Sequence, residues 1–218
     1  LKMETLSHFH IEKEIDVILN FVDVSRFNRK PIDAFRKVIA PNGERILLHA
    51  SNFRKIKRVQ DVVKIFAAVN KQIPSKLLFV GDGPERNTAE DLSRELGVCD
   101  EIRFVGKQEQ MEDILAIADL FLLTSEYESF GLAALEAMAA GVPVVSTNAG
   151  GLGEINIDGV TGFLSNVGDV DSMTNQSMQI LKDDATLKGF KDRAAEHSKK
   201  FDIHHIVPQY EKLYERFL

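Results

Sequence analysis

The chain has 218 residues, of which 44% are hydrophobic and 28% are charged, and its formal net charge is −6 at pH 7. This length gives one large α/β domain or two small ones, and the acidic balance argues against a nucleic-acid-binding surface. No apolar run approaches the roughly 18 residues needed to cross a bilayer, so we expect no integral membrane segment. The single Cys99 cannot form an internal disulfide, which favours a reducing, cytoplasmic location.

The first 40 residues differ in pattern from the rest of the chain. The sequence begins at Leu1 rather than at Met, inside what looks like a continuing element, so we expect a fragment of a longer protein. We expect no secretory leader in the polar, amphipathic start of this sequence. Residues 16–23, DVILNFVD, are typical of a strand that leads into a turn, and residues 26–44 are typical of a connector. We therefore assign residues 1–40 to the end of a preceding domain and a linker.

The following 160 or so residues, about 41–200, alternate short apolar runs with helical patterns. The strand candidates are residues 46–51, 76–83, 101–106, 119–125, 142–148 and 161–167. The helical candidates are residues 58–72, 84–96, 109–117, 131–140, 151–156 and 169–182. Because the apolar runs are nearly continuous, they suit strands covered on both faces. The alternation predicts a doubly wound, Rossmann-like parallel sheet, whose ligands bind at the carboxyl ends of the strands.

The carboxyl-terminal part, residues 185–217, predicts two more helices, with Pro208 near the start of the last one. Its two histidines, His204 and His205, are adjacent and therefore point different ways on a helix. His8 and His10 are also wrongly spaced for one helical face. We therefore predict no metal site.

Two carboxylates in the stretch ESFGLAALEAMAAG, residues 128–141, lie eight positions apart. If residues 128–136 were wholly helical, the Cα atoms of Glu128 and Glu136 would be ~12 Å apart. Paired carboxylates that act on one glycosidic bond are only about 5–9.5 Å apart, so a shared acid/base role does not fit. An elongated ligand with a hydroxyl pair near each end, such as a nucleotide-sugar, fits better.

The residues between these carboxylates, Phe130, Gly131 and Leu132, would begin a helix whose free N–H groups face phosphate oxygens. Gly131 has no Cβ and would let the backbone come close to the ligand. The alternative is that Glu128 caps the helix and Glu136 is exposed to solvent. The surrounding alanines indicate a buried helix, in which an unpaired carboxylate would be costly.

Two further motifs lie at predicted strand ends. The stretch GDGPE, residues 81–85, lacks the spacing of a dinucleotide fingerprint, and we interpret it as a turn that brings Gly81 close to the ligand. The cluster Arg54, Lys55, Lys57 and Arg58 includes one or two cations that could neutralise a leaving diphosphate. For Lys55 and Arg58 we prefer a solvated helix start.

Taken in order, these motifs resemble those of the retaining, two-domain GT-B glycosyltransferases of family 4. The landmarks are the E-x7-E stretch at 128–136, NFVD at 20–23, GDGPE at 81–85, FVGKQ at 104–108, NAGGLGE at 148–154 and DGVTGFL at 158–164. The stretch SNFRKIKRVQD, residues 51–61, is most similar to members that transfer N-acetylglucosamine from UDP-GlcNAc to L-malate, the first step of bacillithiol synthesis. The resemblance implies the C-terminal, donor-binding domain of a GT-B fold, with residues 201–218 packing back on a missing N-terminal domain.

The resemblance also implies roles for individual residues. Glu136 would hold the ribose hydroxyls and Glu128 those of the donor sugar. The donor-binding set implied is Asn52, Gly81, Val105, Lys107, Gln108, Phe130, Gly131, Leu132 and Glu136, with the stretch from Val105 to Gln108 at the uracil edge. The catalytic set implied is Arg54, Lys57 and Glu128. The family's usual arginine, five residues before the lysine, falls here on Asn52, with Arg54 displaced by two positions.

The implied partners are UDP-GlcNAc and, through the missing domain, L-malate, with no cofactor or metal required and a homo-oligomer possible. We expect this chain alone to bind a nucleotide-sugar without turnover. Two alternatives stay open. One is a family member with a lipid or polysaccharide acceptor, and the other is a non-catalytic module that binds a UDP-sugar.

Overall fold

The computed structural model describes residues 2–11 and 14–217. Its sheet contains the strands β1 Arg45–Ser51, β2 Ser75–Gly81, β3 Ile102–Gly106, β4 Leu120–Leu123, β5 Val144–Thr147 and β6 Gly162–Ser165. They are all parallel and lie in the order β3-β2-β1-β4-β5-β6. The order reverses between β1 and β4. The predicted α/β class and all six strand candidates are confirmed.

Helices cover both faces of this sheet and connect its strands. They are α1 Lys2–His8, α2 Val24–Phe27, α3 Asp33–Ile39, α4 Val59–Asn70, α5 Arg86–Glu95, α6 Met111–Ala116, α7 Leu132–Ala139, α8 Leu152–Ile155, α9 Val170–Leu181, α10 Asp184–Ser198 and α11 Ile203–Tyr214. The helices predicted between the strands and in the carboxyl-terminal part are confirmed. None of the described helices is both long and apolar enough to cross a membrane.

The core lies in two layers, one on each side of the sheet. Because successive side chains of a strand face opposite sides, Leu48 belongs to the core layer that contains Leu135 of α7, while Leu47 belongs to the layer that contains Phe66 of α4. All four side chains are fully buried. Burial on both faces explains why the strands have nearly continuous hydrophobic sequences instead of alternating ones.

The amino-terminal segment differs from its prediction. No strand forms in residues 16–23, where only Val22 pairs, in an isolated bridge to Asp202. An apolar run needs a neighbouring strand to continue as a sheet, and here it finds a single partner residue. Residues 26–44, predicted as a connector, contain the end of α2 and all of α3, and Phe27 and Ile39 are buried in the core beside α7. Residues 22–40 thus pack on the sheet domain, while the three domain boundaries stay predictions.

The carboxyl-terminal prediction needs one correction, which concerns Pro208. This residue lies in the middle of α11 rather than near its start. Proline donates no backbone hydrogen bond, but both Pro208 and His204, whose carbonyl lies four residues earlier, are exposed to solvent. Water can therefore satisfy that carbonyl, and the helix continues. The expected packing of residues 201–218 on another domain stays a prediction.

Candidate functional site

A polar cleft of about 320 Å³ lies at the carboxyl ends of β1 and β4. Its lining residues are Asn20, Ala50, Ser51, Asn52, Lys57, Leu123, Glu128, Ser129, Phe130, Gly131, Leu132 and Ala133. The cleft opens where the strand order reverses, which is where open α/β sheets bind their ligands. Six of the twelve predicted site residues meet here: Asn52, Lys57, Glu128, Phe130, Gly131 and Leu132.

The central contact of the cleft is an ion pair between Lys57 and Glu128. The hydroxyl of Ser125 donates a second hydrogen bond to the same carboxylate oxygen of Glu128, at 2.8 Å. The side chains of Lys57 and Glu128 are 17% and 14% exposed, so water screens their attraction only partly. Glu128 does not cap α7, because that helix begins at Leu132, its N-cap residue is Gly131, and the donors to Glu128 are Lys57 and Ser125. The capping alternative is therefore wrong.

Lys57 reaches the cleft from a short turn of 3₁₀ helix between β1 and α4. The hydroxyl of Thr124, at the end of β4, donates to the carbonyl of Lys57 at 2.9 Å and ties this turn to the neighbouring strand. Arg58 begins α4, but its guanidinium is held by Asp61 at 2.6 Å and Glu126 at 3.1 Å rather than by solvent. Arg58 therefore has a structural role, whereas Lys57 faces the cleft.

Two glycines hold Glu128 and the start of α7 in place. Gly131 has a φ of +94°, and a Cβ there would lie 2.5 Å from Cδ2 of Leu152. The reason for this glycine is thus its backbone conformation and its packing on α8. Gly150 has a φ of +60°, and a Cβ on it would lie 1.9 Å from the carbonyl oxygen of Glu128, which also accepts a hydrogen bond from the N–H of Gly151 at 2.8 Å. The turn at 150–151 therefore lies directly against the backbone of Glu128.

Glu136, the second carboxylate of the motif, lies one turn inside α7 and does not line this cleft. Its side chain is half-buried, and burial raises its pKa above the usual value, with Glu112 adding to the effect and Arg26 opposing it. Arg26 on α2 forms its ion pair with Glu112, at 3.3 Å. Among the described residues, none donates a hydrogen bond to Glu136. The alternative of a solvent-exposed Glu136 is therefore wrong.

The other predicted residues do not line this cleft. Val105 and Gln108 line a second, mainly apolar cleft of about 360 Å³, together with Phe35 and Leu78. The remaining three are Arg54 and Lys107, both exposed, and Gly81, at the end of β2. A Cβ on Gly81 would lie 1.8 Å from the carbonyl oxygen of Ser51, so the strand ends of β1 and β2 account for this glycine.

Sequence patterns missed several polar residues of the cleft. Ser51 and Ser129 line it, and Ser125 binds Glu128. Ser51 closes the run ILLHAS, and a polar residue at the carboxyl end of a buried strand is a signal that could have found it. The polar His49 inside the same run is a second such signal. Within residues 2–11 and 14–217, no group of three His, Cys, Asp or Glu is placed to hold a metal ion.

A parallel sheet of this order, with a polar cleft at its reversal point, defines a Rossmann-like α/β domain. The family model for glycosyl transferases group 1 matches residues 32–197. The chain therefore belongs to this family.

Known relatives agree with this assignment. The N-acetyl-alpha-D-glucosaminyl L-malate synthase of Bacillus anthracis is 43% identical over 204 residues, which is 93% of this chain and 54% of the relative. The sucrose-phosphate synthase of Thermosynechococcus elongatus superposes with a TM-score of 0.85 at 27% identity, over 99% of this chain and 56% of that structure. Anabaena HepE, solved with UDP and glucose, superposes with a TM-score of 0.83 at 26% identity, over 92% of this chain and 56% of that structure. The chain thus spans about half the length of these relatives, and the predicted GT-B resemblance is confirmed.

Proposed function

We propose that this chain is the donor-binding half of a retaining, family 4 glycosyltransferase that transfers N-acetylglucosamine from UDP-GlcNAc to L-malate. The observation that carries the proposal is the cleft at β1 and β4, where the Lys57–Glu128 pair meets the start of α7. The name of the 43% identical relative supports the malate acceptor, and the HepE complex supports a UDP donor. The acceptor side would lie mainly in the half that this chain does not cover.

The cleft has the groups needed to hold a diphosphate. The ammonium group of Lys57 has three donors and can bind a phosphate oxygen while it keeps Glu128. Leu132 and Ala133 line the cleft in the first turn of α7, where backbone N–H groups have no partner within the helix and the helix dipole favours negative charge. Arg54 begins the turn that carries Lys57 and is proposed as the second cation for the phosphates.

The two carboxylates would hold the two ends of the donor. Glu128 presents its second oxygen to the hydroxyls of the sugar, since Lys57 and Ser125 both bind the first one. Glu136 is half-buried without a donor among the described residues, and a ribose diol would satisfy it. The uracil would lie against the stretch from Val105 to Gln108, next to the second cleft.

The chemistry that fits these groups is a same-face substitution at the anomeric carbon. The bond from this carbon to the phosphate oxygen breaks, the bond to the acceptor oxygen forms, and the acceptor proton passes to the departing phosphate. The protein positions the donor and stabilises the charge that grows on the diphosphate. Since Lys57, Arg54 and the start of α7 supply positive potential, the proposed mechanism requires no metal.

The first test is a calorimetric titration of this chain with UDP-GlcNAc, with ADP-glucose as the comparison ligand. We expect saturable binding of the UDP compound alone, its loss in Glu136→Ala, and no change in Glu154→Ala, which removes an exposed carboxylate. Absence of binding, or equal binding of both nucleotides, would contradict the proposed donor.

The acceptor is tested with the full-length protein, by measuring UDP release from UDP-GlcNAc with and without L-malate. Release that depends on malate supports the proposal. Release only with a lipid or polysaccharide acceptor would favour the first alternative, and donor binding without transfer to any acceptor would favour the non-catalytic module. A cytoplasmic location and a homo-oligomer stay predictions.

A further inference from the structure

A buried histidine lies directly beneath the cleft, on β1. The side chain of His49 is fully buried between the rings of Phe53 and Phe79, with ring centroids 6.1 and 5.4 Å away. Its Nδ1 lies 2.9 Å from the carbonyl oxygen of Leu122 on β4, and its Nε2 lies 2.8 Å from the hydroxyl oxygen of Ser51. His49 therefore connects β1 to β4 at the point where the strand order reverses.

The chemistry of these partners fixes the direction of every hydrogen bond. The carbonyl of Leu122 can only accept, so Nδ1 carries the proton and Nε2 of the neutral ring accepts from the hydroxyl of Ser51. The oxygen of Ser51 in turn accepts from the backbone N–H of Phe53, at 3.2 Å. A protonated His49 would lose its acceptor, and the hydroxyl of Ser51 would have to turn away.

The surroundings keep His49 neutral. Burial lowers its pKa to about 4, against a hydrogen bond to Leu122 that favours the charged form. Of the charged groups that face it, Lys57 lowers the pKa further and Glu128 raises it. The direction of the hydrogen bonds should thus stay the same at pH values well above 4.

The loop that this network supports has an unusual backbone. Phe53 has a φ of +40°, a left-handed backbone conformation that residues other than glycine rarely adopt. The same loop is held by the GDG turn, because a Cβ on Gly83 would lie 2.0 Å from the carbonyl oxygen of Asn52. The carbonyl of Phe53 also accepts from the N–H of Glu85, at 2.9 Å. This loop places Asn52 at the cleft and leads into the turn that carries Lys57.

We propose that His49 is a positioning residue for the diphosphate of the donor. Nε2 of His49 accepts a hydrogen bond from the hydroxyl of Ser51 and so keeps the oxygen of Ser51 directed toward the N–H of Phe53. This contact fixes the left-handed loop that orients Asn52 and Lys57 toward the phosphates. His49 itself touches no ligand. The identity of the ligand rests on the proposed function.

The test compares UDP, which has the diphosphate, with uridine, which lacks it, by chemical-shift titration of this chain. Ser51→Ala breaks the connection between His49 and Phe53, and we expect about a tenfold loss of UDP affinity with uridine affinity kept within about twofold. His49→Phe should behave like Ser51→Ala, whereas His49→Gln keeps an acceptor and should recover part of the affinity. Ser75→Ala is the matched control, since Ser75 is a buried serine at the opposite, amino end of β2, and its hydroxyl donates to the nearby carbonyl of Ile73.

The histidine ring itself reports the direction of these hydrogen bonds. Nitrogen NMR of His49 should show a protonated Nδ1 and a bare Nε2, unchanged from about pH 5.5 to 8. The opposite tautomer, or a titration midpoint near the usual histidine value, would overturn the proposal.

Failure of the positioning role and failure of the proposed function can be told apart. If the parent chain binds UDP and Ser51→Ala loses no more affinity than Ser75→Ala, the positioning role is wrong and the proposed function stands. If Ser51→Ala weakens uridine as much as UDP, the positioning role is again wrong. If the parent chain binds no UDP at all, both fail together.

Discussion

Two carboxylates at opposite ends of β4 differ in how fully the protein satisfies them with hydrogen bonds. Asp119, at the amino end, accepts hydrogen bonds from Arg36 at 2.7 Å, from Lys191 at 3.0 Å and from the backbone N–H of Ile46 at 2.9 Å. Glu128, beyond the carboxyl end, has Lys57 and Ser125 on one oxygen and the open cleft beside it. Both oxygens of Asp119 are bound by protein donors, whereas only one oxygen of Glu128 is.

The difference teaches how to separate a structural charge from a ligand-binding one in this fold. Although burial works to raise it, Lys191 and Arg36 hold the pKa of Asp119 below its usual value, so the native state prefers the charged form. Glu136 lies at the other extreme, because burial raises its pKa and no described residue donates to it. A half-buried carboxylate without a protein donor is one that a ligand can satisfy.

Asp119→Ala should have the largest effect, and that effect should be on stability. Removing the carboxylate leaves Arg36 and Lys191 near each other without their shared partner, and loss of one member of a buried pair costs about 3–5 kcal/mol. Chemical denaturation measures it. Asp184→Ala, which breaks an ion pair with Arg45 at a side chain that is 93% exposed, should cost less than about 1 kcal/mol. Equal costs for both variants would remove the distinction drawn here.

The lowered pKa of His49 predicts that the stability of the protein depends on pH. Below pH 6.5 the unfolded chain binds a proton at this residue, while the folded chain does not until about pH 4. The free energy of unfolding should therefore fall as the pH is lowered through this window, by on the order of 3 kcal/mol in all. His49→Phe should flatten that part of the curve, and His204→Phe, at an exposed position, should not. Parallel curves for His49→Phe and the parent would contradict this prediction.

Lys57→Met should act on ligand binding. A hydrogen bond between charged groups contributes about 1.5–3 kcal/mol, so the affinity for UDP should fall by roughly 10- to 150-fold. Lys55→Met changes an exposed lysine in the same turn and should leave the affinity within about twofold. Calorimetry with UDP measures both. If the two lysines proved equivalent, the cleft would not be the phosphate site.

Glu136→Gln should have the smallest effect on stability, and of the opposite sign to Asp119→Ala. At neutral pH the raised pKa means that the charged form of Glu136 opposes folding, so removing the charge should slightly stabilise the free protein. The same variant should bind UDP-GlcNAc more weakly, because an amide accepts from a diol less well than a carboxylate. Chemical denaturation measures the stability and calorimetry measures the affinity. A destabilised variant would contradict the statement that the charged form of Glu136 opposes folding.

The regular part of the fold followed from local signals. Six buried strands and the helices between them were predictable because hydrophobic runs and helical periodicity report burial directly. The run DVILNFVD at 16–23 was misassigned because a strand also needs a neighbour, and only Val22 finds a partner, Asp202, some 180 residues further along the chain.

The sequence by itself determined the fold class, the family and the meeting of Asn52, Lys57, Glu128 and the start of α7 at one edge of the sheet. These depend on strand ends and on short motifs, and parallel strands bring their carboxyl ends together whatever the details. Only the tertiary structure decided which charges are paired. That Arg58 also pairs with Glu126, that Glu136 lacks a donor among the described residues, and that His49 bonds to Leu122 of β4 depend on contacts between separate strands and helices. No spacing along the chain encodes those distances, because they arise when the sheet and its covering helices pack.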